Sequence, residues 1–147
     1  MVCNMRFPTY TKNKFYHIYN RGVSKMKICR RDEDYRYFIY LISKYKRIAR
    51  IKIDEGCIMP NHLHLLVQSP RTHKNISKFM QRIQQCYSRY YNREHGHKGH
   101  VFESVYQHNE LSTTSSIEYV KNYIINNPVK AKLVKKPEDW PYRIRDF

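Results

Sequence analysis

A chain of 147 residues is long enough for one domain with its own apolar core and short for two of ordinary size, so a single domain is expected over 1–147. Its 28 Lys and Arg against 12 Asp and Glu leave a net charge of +16, more than solubility requires, and that balance points to a polyanionic partner. The 14 Tyr and 6 Phe interleave with the basic residues and favour nucleic acid over a membrane surface, because aromatic faces stack on unpaired bases; a Tyr-rich core must account for some of them. Cys3, Cys29, Cys57 and Cys86 are scattered, which argues against a disulfide framework and against a cysteine zinc site. Met1-Val2-Cys3-Asn4-Met5-Arg6 lacks the apolar core of a signal peptide, and no run approaches a membrane span, so a reducing, cytoplasmic setting is expected.

In chain order, Phe15-Tyr16-His17-Ile18-Tyr19 reads as a first strand closing on the turn signal Asn20-Arg21-Gly22. From Asp32, taken as an N-cap, Tyr35, Phe38, Ile39, Ile42 and Tyr45 recur at helical spacing and predict a helix to about Arg47. Ala49, Ile51 and Ile53 alternate with Arg50 and Lys52, and Asp54-Glu55-Gly56 offers a tight turn into a third strand that carries His62 and His64. After the loop 69–74, Asn75 caps a second helix with the face Ile76, Phe79, Met80, Ile83, Tyr87 and Tyr90. Residues 71–100 hold seven Lys and Arg against one acid, Glu94; Arg71, Lys74, Lys78, Arg82, Arg89 and Arg93 are candidate phosphate contacts whose affinity should fall steeply with salt. Val101 to Leu111 reads as a fourth strand.

The order strand, helix, strand, strand, helix, strand is that of an α+β, ferredoxin-like (RRM-like) fold: a four-stranded antiparallel sheet with two helices packed on one face. His62 and His64 should line the open face, since Leu63, Leu65 and Val67 suit the helix-packed side. One additional helix follows. Ser115-Ser116-Ile117-Glu118 fits a capping box, Ile117, Val120 and Ile124 form its apolar stripe, and Pro128 should end it. The tail 137–147 reads as an extended basic arm.

The run Met59-Pro60-Asn61-His62-Leu63-His64-Leu65-Leu66-Val67 puts two imidazoles on one face of a strand, which is how a rigid element presents a pair of metal ligands. Taken alone, the pair is better explained as the wet face of a half-buried strand, because periodicity specifies a face and no chemistry. Tyr119, Tyr123 and Asn127 share one face of the additional helix, where a Tyr in a small core and an Asn before Pro as a helix stop are the ordinary explanations. His95, His97 and His100 suggest zinc, but Gly96, Lys98 and Gly99 favour a basic loop near DNA.

The blocks together resemble the single-tyrosine transposases of the HUH (His-hydrophobic-His) endonuclease group, and more specifically the REP-associated tyrosine transposases. The resemblance rests on Met59-Pro60-Asn61-His62-Leu63-His64, on Tyr90-Tyr91-Asn92 through Gly99-His100-Val101-Phe102-Glu103, on Tyr123-Ile124-Ile125-Asn126-Asn127-Pro128, and on Pro137-Glu138-Asp139-Trp140-Pro141, and it begins near Tyr16-Asn20-Arg21-Gly22. It departs at His100, where the family tends to carry a bulky aromatic. It implies that His62, His64 and the amide oxygen of Asn127 hold a divalent ion, Mg²⁺ or Mn²⁺, with manganese suiting imidazole ligands better.

The family pattern places the amide four residues after the nucleophile, which selects Tyr123 over Tyr119 and makes the additional helix the catalytic one. A free phenol titrates near pH 10, so attack on phosphorus needs help; a metal on a non-bridging phosphate oxygen would supply it. The implied activity is a metal-dependent single-stranded DNA endonuclease and strand transferase forming a 5′-phosphotyrosine intermediate at hairpin-containing sites. Single-stranded or hairpin DNA is the implied partner, with Arg21, Arg143 and Arg145 as candidate contacts near a single-stranded tag and with the chain acting as monomer or homodimer. The competing reading is a non-catalytic single-stranded nucleic-acid-binding module of RRM-like fold, which explains the charge but not His62, His64, Tyr123 and Asn127 together. A phosphodiesterase releasing product by water attack is the other rival.

Overall fold

The computed structural model describes residues 14–68 and 75–145. Its elements are β1 (Phe15–Arg21), a 3₁₀ turn (Val23–Lys25), α1 (Asp32–Ala49), β2 (Lys52–Ile58), β3 (His62–Gln68), α2 (Asn75–His95), β4 (Gln107–Leu111), α3 (Thr114–Lys130), a second 3₁₀ turn (Pro137–Asp139) and β5 (Arg143–Ile144). The strands form one antiparallel sheet in the order β4-β1-β3-β2-β5. The expected α+β arrangement is present, with a fifth short strand added at the β2 edge.

Strand alternation divides the sheet into two unlike faces. Tyr16 and Ile18 of β1 and Leu63, Leu65 and Val67 of β3 point to the side covered by α1 and α2, where they meet Phe38, Ile42, Phe79, Met80, Ile83 and Tyr87 in the main core. Leu66 of β3 and Cys57 of β2 face the other way and form a smaller cluster with Met59 and with Val120 and Ile124 of α3. So α3 seals part of the second face, and the rest of that face is a cleft.

Several elements depart from the sequence-based expectations, each for a local reason. Asp54-Glu55-Gly56 is no turn: it lies inside β2, where the pairing with β3 shifts register between Ile53 and Glu55. A Cβ on Gly56 would lie 2.8 Å from Leu65 Cδ2 and 3.2 Å from Ile144 Cβ, so the glycine marks a close crossing rather than a reversal. The hairpin turns instead at 59–61, where the Pro60 carbonyl accepts from the amides of Ile28 and Cys29, and that of Asn61 from Gly22. Gly22 is required here because a Cβ would collide with the Met26 carbonyl oxygen.

The fourth strand is shorter than expected and begins at Gln107. Residues 101–106 are held as a loop, since the buried Asn20 amide donates to the carbonyls of Ser104 and Val105, and Glu103 N–H donates to the Arg21 carbonyl. Arg31, not Asp32, is the N-cap of α1, and Asp34 accepts the backbone N–H groups of Arg30 and Arg31. Thr113 caps α3, its hydroxyl accepting from Ser116 N–H, two residues before the expected box. Pro128 does not end α3. It forfeits one ladder bond in the last turn, and the helix closes through Ala131 N–H to the Asn127 carbonyl. The described part of the tail is folded, not an extended arm: Trp140 Nε1 donates to the Ile58 carbonyl, Tyr142 stacks on Tyr35, and β5 pairs with β2.

Candidate functional site

β3 enters the cleft with His62 and His64, and β1, paired beside it, contributes His17 and Tyr19 to the same face, with Tyr19 directly opposite His64. Docking of α3 through Val120 and Ile124 turns the neighbouring stripe of that helix inward. Asn127 Oδ1 thereby lies 3.1 Å from His62 Nε2, and the Tyr123 ring lies 5.4 Å from the His64 ring and nearly perpendicular to it. The histidine rings are 4.9 Å apart. The cleft, about 510 Å³, is also lined by Arg21, Lys25, Asn61 and Glu103. Tyr123 is 37 % exposed and faces this space with the Lys130 ammonium over its ring, whereas Tyr119, one turn earlier, is 73 % exposed.

Burial sets the protonation of the imidazoles. It pushes His17 down to about 4 and, with the neighbouring His62 and His17, His64 down to about 3. Burial also lowers His62, against a smaller opposite effect of Asn127. All three rings are therefore neutral at pH 7, each with one N–H to donate and one nitrogen lone pair. His62 Nδ1 lies 2.6 Å from Asn61 Oδ1, an atom that only accepts, which assigns the single proton of His62 to Nδ1. With the Asn127 amide oriented as in this structure, the lone pairs of His62 Nε2 and Asn127 Oδ1 then face one another. A cation between them satisfies both, so this donor set fits a divalent ion. Among the described residues no group of three His, Cys, Asp or Glu is placed to hold a metal, and the third donor here is an amide.

The remaining expected residues are dispersed. Arg21 is at the cleft but forms an ion pair with Glu103. Lys78, Arg82, Arg89 and Arg93 are exposed on α2, on the side of the sheet away from α3. A second groove, between α2 and residues 99–105, contains Arg89 and meets the first at Glu103 and Ser104. Arg143 is bound to the buried Glu55, and Arg145 is exposed. Arg71 and Lys74 lie outside the described residues. The trio His95, His97 and His100 is not a converged donor set: His95 bonds Asp34, and His97 Nδ1 lies 2.8 Å from Asn92 Oδ1.

Two residues escaped the sequence reading. His17 lies 2.9 Å from His64, and Asn61 orients His62. The available signal for His17 was its place in the alternation of β1, where a polar ring recurs on the face opposite Tyr16 and Ile18.

The family model described as "Transposase IS200 like" matches residues 10–127. A proposed REP-associated tyrosine transposase of Haemophilus influenzae is 26% identical over 95 residues, 58% of this chain; the match spans about half, 54%, of that relative's length. Among solved structures, a REP-associated tyrosine transposase bound to a REP hairpin superposes with a TM-score of 0.75 at 20% identity, covering 97% of this chain and 82% of that one. A proposed transposase of Deinococcus radiodurans gives 0.56 at 16% identity, covering 82% of this chain and 95% of that one. At these identities the two structures show a shared fold.

Proposed function

The chain belongs to the IS200-like transposase family, and from that premise we propose that it is a metal-dependent single-stranded DNA endonuclease and strand transferase whose nucleophile is Tyr123. The observation that carries the reading is the convergence of two distant segments: β3 brings His62 and His64, and α3 brings Tyr123 and Asn127, to one cleft. A non-catalytic binding module has no need of that convergence. The hairpin bound by the structural relative supports hairpin-containing DNA as the substrate, and the net charge of +16 supports a polyanion.

His62, His64 and Asn127 would hold the ion, Mn²⁺ or Mg²⁺. When bound, it supplies positive charge to the scissile phosphate and so offsets the charge that develops there. The chain's own residues do the rest. Tyr123, fixed on a capped and docked helix, presents its phenol oxygen to phosphorus. The bond from Tyr123 Oη to phosphorus forms as the bond from phosphorus to the 3′ oxygen breaks; the phenol proton passes to water, and the departing oxygen takes one from water to become a 3′-hydroxyl. The product is a 5′-phosphotyrosine. Attack by another 3′-hydroxyl reverses the step and joins strands without ATP, because one phosphodiester replaces another. Arg21, Lys25 and the basic face of α2 are the phosphate contacts this reading assigns to the approach of the strand.

The test is incubation of labelled single-stranded hairpin DNA with the protein and Mn²⁺ or Mg²⁺, followed by denaturing electrophoresis. A protein–DNA adduct resistant to denaturation is expected. Tyr123→Phe should reduce it at least ~1000-fold, the scale on which deleting a nucleophile acts, while DNA binding persists. His64→Ala should lose metal-dependent cleavage. Adduct formation by Tyr123→Phe overturns the nucleophile, and release of product without any adduct favours hydrolysis.

A further inference from the structure

His17 has no part in the reaction just described, yet it is 9% exposed on the cleft side of the sheet. Its ring is wedged among Tyr19, His64 and Tyr123, with centroids 5.0, 5.1 and 6.2 Å away. Its Nε2 lies 2.9 Å from His64 Nδ1. One hydrogen bond between two neutral imidazoles uses one proton, so one ring donates and the other accepts. If His17 donated, the proton of His64 would sit on Nε2, and that nitrogen would have no lone pair for an ion. If His64 donates, Nε2 is free to ligate, and the proton of His17 sits on its own Nδ1.

We propose that His17 is a positioning residue that accepts the Nδ1–H of His64 and holds His64 in the tautomer able to bind a metal through Nε2; the inference rests on the metal-dependent reading of the site. The neighbouring ring supplies the parallel. Asn61 Oδ1 accepts from Nδ1 of His62 and fixes the same tautomer there, so both ligand rings are oriented from the Nδ1 side by a neutral acceptor. Orientation of a metal-binding imidazole through its other nitrogen is usually the task of a carboxylate, a carbonyl or water. Here the chemistry of the substrate favours a neutral partner. A carboxylate at this depth would carry a desolvated negative charge against the face where a DNA phosphate arrives. An imidazole accepts the same proton without charge, and packing against Tyr19 and Tyr123 restrains its plane.

The experiment reads tautomers directly. Long-range ¹H–¹⁵N correlation spectra of the metal-free protein at pH 7, assigned with His17→Gln and His17→Phe, should show the protons of both His17 and His64 on Nδ1. Mn²⁺ titration should show affinity reduced about 10-fold or more in His17→Phe, and largely retained in His17→Gln, whose amide oxygen can still accept; circular dichroism checks that each variant folds. A wild-type His64 protonated on Nε2 overturns the inference without the aid of any variant. So does a folded His17→Phe with unchanged tautomer and Mn²⁺ affinity. A wild-type protein with the expected tautomers that binds neither Mn²⁺ nor Mg²⁺ overturns the metal reading and with it the positioning role, while the direction of the hydrogen bond stands.

Discussion

Two polar clusters, one around Asp34 and one in the cleft, include histidine, and the contrast between them separates a structural site from a chemical one. Around Asp34, which is fully buried, four donors converge: the backbone N–H groups of Arg30 and Arg31, the Tyr90 hydroxyl and His95 Nε2. Burial alone would raise the Asp34 carboxyl, but the hydrogen bonds outweigh it and hold the group below its ordinary value. Oδ2 accepts three of these donors and Oδ1 the Tyr90 hydroxyl, with the Arg31 guanidinium 3.5 Å from Oδ1, and the cluster ties the start of α1 to the end of α2. In the cleft the balance is reversed: His62 has acceptors at both ring nitrogens, and His64 spends one nitrogen on His17. A polar cluster whose members complete one another gives rigidity, and one that leaves lone pairs converging is made for a ligand.

The largest effect should come from breaking the completed cluster. Asp34→Ala leaves two backbone N–H groups, a hydroxyl and an imidazole without their acceptor, and should cost about 4 kcal/mol in urea denaturation. A loss below about 1 kcal/mol would show that the cluster is solvated in practice and would remove the contrast.

Next in size is the docking of α3. Ile124 is fully buried between that helix and the sheet, and Ile124→Ala should destabilise by about 3 kcal/mol. Because Asn127 rides on the same helix, Mn²⁺ affinity should fall with it, whereas any Asp34 variant that remains folded should bind Mn²⁺ as the wild type does. Equal Mn²⁺ losses in both would mean that the two clusters are not independent.

The smallest expected effect is that of one histidine on pH dependence, measured with chelator present. His17 and His64 titrate near 4 and 3 in the folded protein against an ordinary value of 6.5, so below about 6.5 the unfolded chain binds more protons than the folded one. Stability is therefore complete above that value and falls as pH drops toward 4, by roughly 2 kcal/mol per histidine between pH 7 and pH 5. His17→Phe should flatten this slope by about one histidine's share. The Asp34 carboxyl, lowered from 3.8, instead acts at lower pH: its contribution is present above about 4 and is lost only as pH falls through its folded value. An unchanged slope in His17→Phe would dissociate acid sensitivity from the cleft.

The legible parts of the fold were those with strong periodicity. The stripe Tyr35, Phe38, Ile42 and the alternation Leu63, Leu65, Val67 each select one buried face, because burial of apolar area acts wherever the period places it. Turn chemistry was less reliable. Asp54-Glu55-Gly56 has turn composition, yet Gly56 serves a close approach of β2 to Leu65 and Ile144, a long-range contact with no local signature. Pro128 is a stop signal in the sequence, yet α3 continues past it to Lys130. Arg143, a candidate DNA contact by resemblance, has Glu55 as its partner, 88 positions away, because the tail folds back on β2.

The sequence by itself determined the α+β order of elements, the face on which His62 and His64 lie and, through spaced motifs, the family. These follow from residue period and local motif, which survive in one dimension. Only the tertiary structure decided that α3 docks with Asn127 Oδ1 3.1 Å from His62, that His17 sits behind His64, and that His95 belongs to Asp34 rather than to a metal site. Those are matters of which polar atoms share a buried space, and a hydrogen bond extends about 3 Å, so it takes the folded chain to choose the partners.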